Sequence, residues 1–173
     1  MSELRSALIV AVPSAAPAVD SWLERTSAAK PSNGVPAHVT LVFPFAPAEK
    51  IDATLLEALR DLFGSFPGFT FELHELRRFP QVLYLAPEPP TPFVRLTEAI
   101  VASYPDYRPY GGAFDAIVPH LSVAEGNTAL LDEVERDVRR SLPLSAETRE
   151  VTVLEEVEPD MARWVVRARL PLG

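Results

Sequence analysis

Apolar and polar positions along this chain follow two periods, and prolines separate the segments in which each period holds. Alternation with a period of two is typical of a strand, whereas apolar residues three or four apart indicate a helix with one buried face. The chain has 18 prolines and 7 glycines. Because a proline inside an apolar run ends the element, the chain is predicted to fold from short strands and helices in irregular alternation.

The pattern predicts these elements in detail. The predicted strands are SALIVAVP (6–13), HVTLVF (38–43), FTFELHELRRF (69–79), QVLYLAP (81–87), AIVPHLSVAEG (116–126), REVTVLEEV (149–157) and RWVVRARLPL (163–172). The predicted helices are 17–28, 51–63, 92–103 and 128–142. The second helix places apolar residues on one face, and Asp52 stands where a helix N-cap belongs. In 69–79 the alternation predicts that Glu75 shares the face of Phe71 and Leu73.

Antiparallel pairing is predicted because 69–85 and 150–170 resemble hairpins, so we expect an α+β fold with mainly antiparallel sheet. The strands 38–43 and 116–126 occupy comparable places, each followed by a helix and then by a pair of strands. Aligned on their histidines, VPAHVTLV and IVPHLSVA agree in pattern, which indicates two related lobes. A chain of 173 residues is long enough for one folding unit with a core.

Each histidine strand carries a hydroxyl residue two positions after its histidine, Thr40 after His38 and Ser122 after His120. Side chains two apart on a strand share a face and stand about 6.6 to 6.8 Å apart, so both can contact one phosphate. If both strands line one cleft, one imidazole can take a proton from an attacking oxygen while the other protonates a leaving oxygen. The hydroxyls can donate hydrogen bonds to the non-bridging oxygens, and the scheme requires no metal or other cofactor.

Composition narrows the classes of function. Without cysteine the chain has no disulfide, thiolate metal site or cysteine nucleophile, which is compatible with the cytoplasmic location that we expect. The apolar run at 6–13 is too short to cross a membrane and lacks a basic leader, so we interpret it as a strand. The net charge of −8 argues against binding to long nucleic acid and leaves a small phosphate-bearing ligand open.

The motifs His-Val-Thr-Leu at 38–41 and His-Leu-Ser-Val at 120–123 resemble the paired His-x-Thr/Ser-x motifs of the 2H phosphoesterase superfamily. The resemblance is to its 2′-5′ RNA ligase-like and cyclic phosphodiesterase branch in particular. It implies a single bilobal domain over 1–173, with two similar lobes of mainly antiparallel sheet, helices on the outside and a cleft between the lobes.

The same resemblance implies roles for the four motif residues. His38 and His120 are expected to form the catalytic acid and base pair, with Thr40 and Ser122 as ligands of the substrate phosphate. The implied substrates contain a 2′,3′-cyclic phosphate or a 2′-5′ linkage, in RNA ends or small nucleotides, and no cofactor is implied. Ser122 stands in place of threonine and keeps the hydroxyl.

Other interpretations of the histidines stay open. A single histidine on an apolar strand is more often a hydrogen-bonded core residue, although two of them, each with a hydroxyl, favour a shared site. A noncatalytic module could use the same cleft to hold a nucleotide or phosphate. A two-histidine metal site would need a third ligand, which no motif supplies.

Further residues are candidates for lining the substrate. Tyr84 and Phe43 could stack on a base, although an aromatic residue in an apolar strand more often belongs to the core. Arg77 and Arg78 could add positive charge beside a phosphate, while an exposed hairpin end is the simpler interpretation. Tyr110 lies in a glycine-containing loop that could cover the cleft. We expect a monomer that acts on a small nucleotide or RNA end and has no membrane partner.

Overall fold

The computed structural model describes residues 3–109 and 117–173, and these ranges contain eight strands and four α-helices. The strands are β1 (Ser6–Ala11), β2 (His38–Val42), β3 (Phe69–Phe79), β4 (Val82–Glu88), β5 (Leu121–Glu125), β6 (Leu144–Thr148), β7 (Glu150–Glu158) and β8 (Arg163–Pro171). The helices are α1 (Ala16–Thr26), α2 (Ala53–Gly64), α3 (Thr91–Ser103) and α4 (Thr128–Arg139). All four predicted helices are confirmed, with ends that differ by a few residues.

The strands form two four-stranded sheets, in which every neighbouring pair is antiparallel. The first sheet has the order β2-β1-β7-β8 and the second has the order β5-β4-β3-β6. The predicted α+β fold with two antiparallel lobes is thereby confirmed. Both histidine strands lie at a sheet edge, β2 in the first sheet and β5 in the second, and the two strands contact each other.

The helices cover one face of each sheet and enclose the main core. Helices α2 and α3 contact β8 and β2 of the first sheet, whereas α1 and α4 contact β5 of the second. Each histidine strand follows its antiparallel neighbour in the sheet through a connection that contains a helix. This helix is α1 between β1 and β2, and α3 between β4 and β5. No helix in the described parts of the chain is both long and apolar enough to cross a membrane.

Side-chain caps begin the helix that follows each histidine strand. The Asp52 carboxylate accepts a hydrogen bond from the Leu55 backbone N at 2.8 Å at the start of α2, as its position in the sequence predicts. At the start of α4, the Asn127 side chain accepts one from the Leu130 backbone N at 2.9 Å. The two helices therefore start in the same way in both lobes.

Three sequence-based expectations about strands are wrong in detail. The segment 144–148 forms β6, which was not predicted because its polar residues resemble a loop. The strand predicted over 116–126 is shorter, since regular structure begins only at Leu121. Glu75 does not share the face of Phe71 and Leu73, because a bulge between Leu73 and Glu75 shifts the register, and Leu76 is buried instead.

Candidate functional site

Both histidines stand where their strands begin, and both rings are held by the backbone. His38 is the first residue of β2, and its Nδ1 lies 2.7 Å from the carbonyl oxygen of Pro36. His120 directly precedes β5, and its Nδ1 lies 2.7 Å from the carbonyl oxygen of Val118. Because a carbonyl oxygen only accepts, Nδ1 carries a proton in each ring, which leaves Nε2 as the atom for proton transfer.

Burial governs the protonation of both imidazoles. It lowers the pKa of His38 and of His120, since a charged imidazolium loses hydration in a partly buried site. The hydrogen bonds from Nδ1 oppose this shift, because they favour the protonated ring. The charge of His120 lowers the pKa of His38 further.

The two hydroxyl residues share the face of the histidines. In β2, Val39 and Leu41 are buried in the main core while Thr40 is half-buried on the opposite face, where it pairs with Ile9 of β1. In β5, Leu121 and Val123 are buried in the same core, and half-buried Ser122 pairs with Tyr84 of β4. The structure therefore turns one imidazole and one hydroxyl from each lobe away from the main core.

Tyr84 contacts the second histidine, as one part of a cluster of three rings. Its ring lies edge-on to His120 at a centroid distance of 5.5 Å, and Phe79 stacks on Tyr84 at 4.3 Å. Phe79 also meets His120 at 5.0 Å. Sequence analysis missed Phe79, because its place beside Tyr84 follows from the β3–β4 register, in which Phe79 lies opposite Val82, two residues from Tyr84.

Phe43 belongs to a different cluster on the first sheet. Its ring lies 5.9 Å from Trp164, and the Arg5 guanidinium lies 5.2 Å from the centroid of Phe43. Arg5 also forms a bidentate pair with the buried Glu156, with distances of 3.0 and 2.8 Å, which holds the pKa of that carboxyl below its usual range. Phe43 thus packs against neighbours that join β1, β7 and β8.

The two adjacent arginines of β3 face opposite ways. Arg78 binds Asp132 at 2.7 Å and lies 3.8 Å from Glu135, both on α4, so it points to the helix-covered face. Arg77 lies opposite Tyr84 in the β3–β4 register and therefore on the face of His120. Tyr110, the remaining candidate from the sequence, lies outside the described residues.

The described residues contain no group of three or more His, Asp or Glu side chains that could hold a metal ion. The same face of the second sheet continues, away from the histidines, into a shallow hollow. That hollow is lined by Thr70, Phe71, Glu72, Glu88, Pro89, Ser145, Ala146 and Glu147. Its three carboxylates make it a poor neighbour for phosphate groups.

The two-sheet fold and paired histidine strands define a class of protein, and comparison with known proteins identifies it. The chain belongs to the 2′-5′ RNA ligase superfamily, because the model of that family matches residues 11–160. This confirms the resemblance to the 2H phosphoesterases that the two motifs indicated.

Solved structures share the fold over nearly the whole chain. LigT of E. coli complexed with NADP+ has a TM-score of 0.60 at 19% identity, covering 100% of this chain and 99% of that one. LigT of E. coli complexed with 3′-AMP has a TM-score of 0.59 at 20% identity, covering 99% of each chain. TT0787 of Thermus thermophilus has a TM-score of 0.62 at 18% identity, covering 97% of each chain. None of the curated proteins matches this chain in sequence.

Proposed function

We propose that this protein is a metal-independent phosphoesterase that opens 2′,3′-cyclic phosphates, or cleaves 2′-5′ linkages, in RNA ends or small nucleotides. One observation carries the proposal. Each lobe presents an imidazole with Nδ1 bound to the carbonyl oxygen two residues earlier, together with a hydroxyl two residues later on the same face. This arrangement supplies two proton-transfer atoms and two phosphate donors from equivalent positions.

The reaction follows from these groups. One imidazole takes a proton from water at Nε2 while the water oxygen attacks phosphorus. The bond from phosphorus to one ribose oxygen breaks, and the other imidazole, protonated at Nε2, gives its proton to that oxygen. Thr40 and Ser122 donate to the non-bridging oxygens, where negative charge must be stabilised in the transition state. For a cyclic mononucleotide the product is a nucleoside monophosphate, and the protein accepts one proton and donates the other.

Related proteins support a nucleotide substrate. LigT of E. coli is found complexed with 3′-AMP, with phosphate and with ATP, which are small ligands that contain phosphate. The acidic net charge of −8 favours a short substrate over a long polyanion.

Substitution of the histidines tests the catalytic roles. We expect His38→Ala and His120→Ala each to lower kcat for a 2′,3′-cyclic nucleotide by about 10² to 10⁴, the usual contribution of general acid–base catalysis. His74→Ala is the matched control, because His74 is exposed and lies on β3, outside the paired motifs. Chromatography of the products measures the rates, with circular dichroism to confirm folding.

Two results would contradict the proposal. Equal rates for wild type and the His38→Ala, His120→Ala double variant would remove the catalytic claim. Calorimetry that showed tight binding of the cyclic nucleotide, recovered unchanged, would instead favour a noncatalytic binding module that uses the same cleft.

A further inference from the structure

The histidine face of the second sheet carries a cation, Arg77, that the proposed reaction does not use. Arg77 lies opposite Tyr84 in the β3–β4 register, and Tyr84 lies opposite Ser122 in the β4–β5 register. Directly opposed residues of antiparallel strands share a face. Arg77, Tyr84 and Ser122 therefore occupy one row of positions across three strands.

Arg77 is available to a ligand, because its ion pair is exposed. Its Nη2 lies 2.9 Å from Oε2 of Glu75, and about half of each side chain is exposed, 53% and 51%. Such an exposed surface pair contributes little to stability, so a phosphate that forms two charge-assisted hydrogen bonds can replace the carboxylate. Arg78 is not comparable, since α4 supplies it with two acidic neighbours on the other face.

We propose that Arg77 binds a second phosphate of the substrate, next to the cyclic phosphate whose P–O bond is broken at the histidines. In a nucleoside 2′,3′-cyclic phosphate, the 2′ and 3′ oxygens both belong to the cyclic ester. A second phosphate is therefore attached at the 5′ oxygen, as a terminal 5′-phosphate or as the diester to a preceding nucleotide. This inference rests on the proposed function and narrows its substrate class to cyclic phosphates with a 5′ phosphate group.

The spacing of the strands fits this role. Ser122 and Arg77 stand on β5 and β3, which β4 separates, so their backbones are about 10 Å apart. Because the arginine side chain is long, the guanidinium of Arg77 can approach Ser122 more closely than the two backbones do, to about the length of a single ribose. Phe79 lies beside the row and stacks on Tyr84, and the two rings offer an apolar surface to the sugar or base.

Carboxylates at the far end of the same face limit how many phosphates can follow. Glu72 lies opposite Glu88 in the register, and both line the hollow together with Glu147. A nucleotide chain that continued from Arg77 along β3 and β4 towards these residues would meet their exposed charges, and like charges repel. The face therefore favours a short substrate.

A comparison of three substrates tests the role of Arg77. They are a nucleoside 2′,3′-cyclic phosphate, the same nucleotide with a 5′-phosphate, and a dinucleotide that ends in a 2′,3′-cyclic phosphate. At low salt, we expect the wild-type kcat/KM to be about tenfold or more higher for at least one two-phosphate substrate, because one charge-assisted contact is worth about that factor. A higher kcat/KM for the 5′-phosphorylated nucleotide identifies the second phosphate as a terminal one. A higher kcat/KM for the dinucleotide identifies it as the phosphate between two nucleotides.

Variants of Arg77 should remove this advantage selectively. We expect Arg77→Ala to lower kcat/KM for the preferred two-phosphate substrate about tenfold more than for the one-phosphate substrate, and Arg77→Lys to restore part of the difference. Arg78→Ala, on the other face of the same strand, is the matched control and should retain the preference. Raising the salt concentration should weaken the preference in wild type and have little effect on it in Arg77→Ala.

The failure of this inference differs from the failure of the proposed function. If wild type opens cyclic phosphates but shows no two-phosphate preference, or if Arg77→Ala keeps it, the role of Arg77 is wrong. If wild type opens none of the three substrates, the proposed opening of cyclic phosphates is wrong instead. Calorimetry with a nucleoside 2′-phosphate and a nucleoside 2′,5′-bisphosphate then decides about Arg77. Tighter bisphosphate binding that Arg77→Ala abolishes supports its role, and equal affinities overturn it.

Discussion

His38 and His120 have the same kind of hydrogen-bond partner, a backbone carbonyl oxygen, but their electrostatic surroundings differ. Each ring donates from Nδ1 to the carbonyl oxygen two residues earlier, so Nε2 is the free ring nitrogen of both. Burial lowers the pKa of both imidazoles, and the charge of His120 adds to this effect at His38. Both rings are therefore more readily deprotonated than a histidine in water, and a pair that holds one proton exists at more acidic pH than usual.

This difference predicts the pH dependence of the reaction. A pair that works as acid and base is active when it holds one proton, so we expect a bell-shaped plot of kcat/KM against pH. Because both pKa values are lowered in the free protein, the maximum should lie below about pH 6.5, the ordinary value for histidine. Bound phosphate favours imidazolium, so the maximum of kcat should lie at higher pH than that of kcat/KM. A flat profile from pH 5 to 9 would contradict paired roles.

At the scale of the element, one bulge in β3 decides which arginine faces the histidines. Without it, strict alternation from the buried Leu73 would put Arg77 on the helix-covered face and Arg78 on the histidine face. The bulge between Leu73 and Glu75 shifts the register by one residue and exchanges the two. The pairing of Arg78 with Asp132 agrees with this exchange. Of the two arginines that the sequence suggested, only Arg77 therefore lies on the histidine face.

The caps of α2 and α4 give a prediction at the same scale. We expect Asp52→Ala to lower the free energy of unfolding by about 1 kcal/mol, because the Leu55 backbone N would lose its acceptor. Asp52→Asn should lose little, since an asparagine side chain caps in the same way, as Asn127 does for α4. Urea denaturation measures both. An Asp52→Ala variant as stable as wild type would show that the cap does not stabilise the fold.

At the scale of the whole molecule, the first lobe is not a continuous piece of chain. The first sheet takes β1 and β2 from residues 6–42 and β7 and β8 from residues 150–171, while the second sheet lies between them in sequence. The main hydrophobic core contains buried residues from both sheets, such as Val39 and Val123. We therefore propose that residues 1–173 fold as one unit, since one lobe cannot form without both ends of the chain.

Two tryptophans can test this proposal, because each reports on a different lobe. Trp22 on α1 donates from Nε1 to the Asp137 carboxylate of α4 at 2.7 Å, beside the second sheet, and Trp164 stands on β8 of the first. Fluorescence of Trp22→Phe reports only Trp164, and that of Trp164→Phe reports only Trp22. In each variant we expect the fluorescence transition in urea to coincide with loss of circular dichroism. Fluorescence and dichroism midpoints that differ within one variant would show that the lobes unfold separately.

The sequence predicted the motif residues of the site better than it predicted the residues around them. His38 with Thr40 and His120 with Ser122 are recognisable because the period of a strand relates residues only two apart, and each hydroxyl does lie on the face away from the main core. Phe79 and Arg77 were not assigned to that face. Their orientation depends on how β3 pairs with β4, which the local pattern does not contain.

The sequence by itself determined the helices, most strands, the N-cap of α2 and the two motifs, because propensity, capping and periodicity act over a few neighbouring residues. Only the tertiary structure decided that β6 forms, that the ends of the chain share a sheet, and that a bulge reverses the faces of β3 beyond Leu73. These outcomes depend on pairing between residues far apart in the chain, where a shift of one residue turns every side chain to the other face.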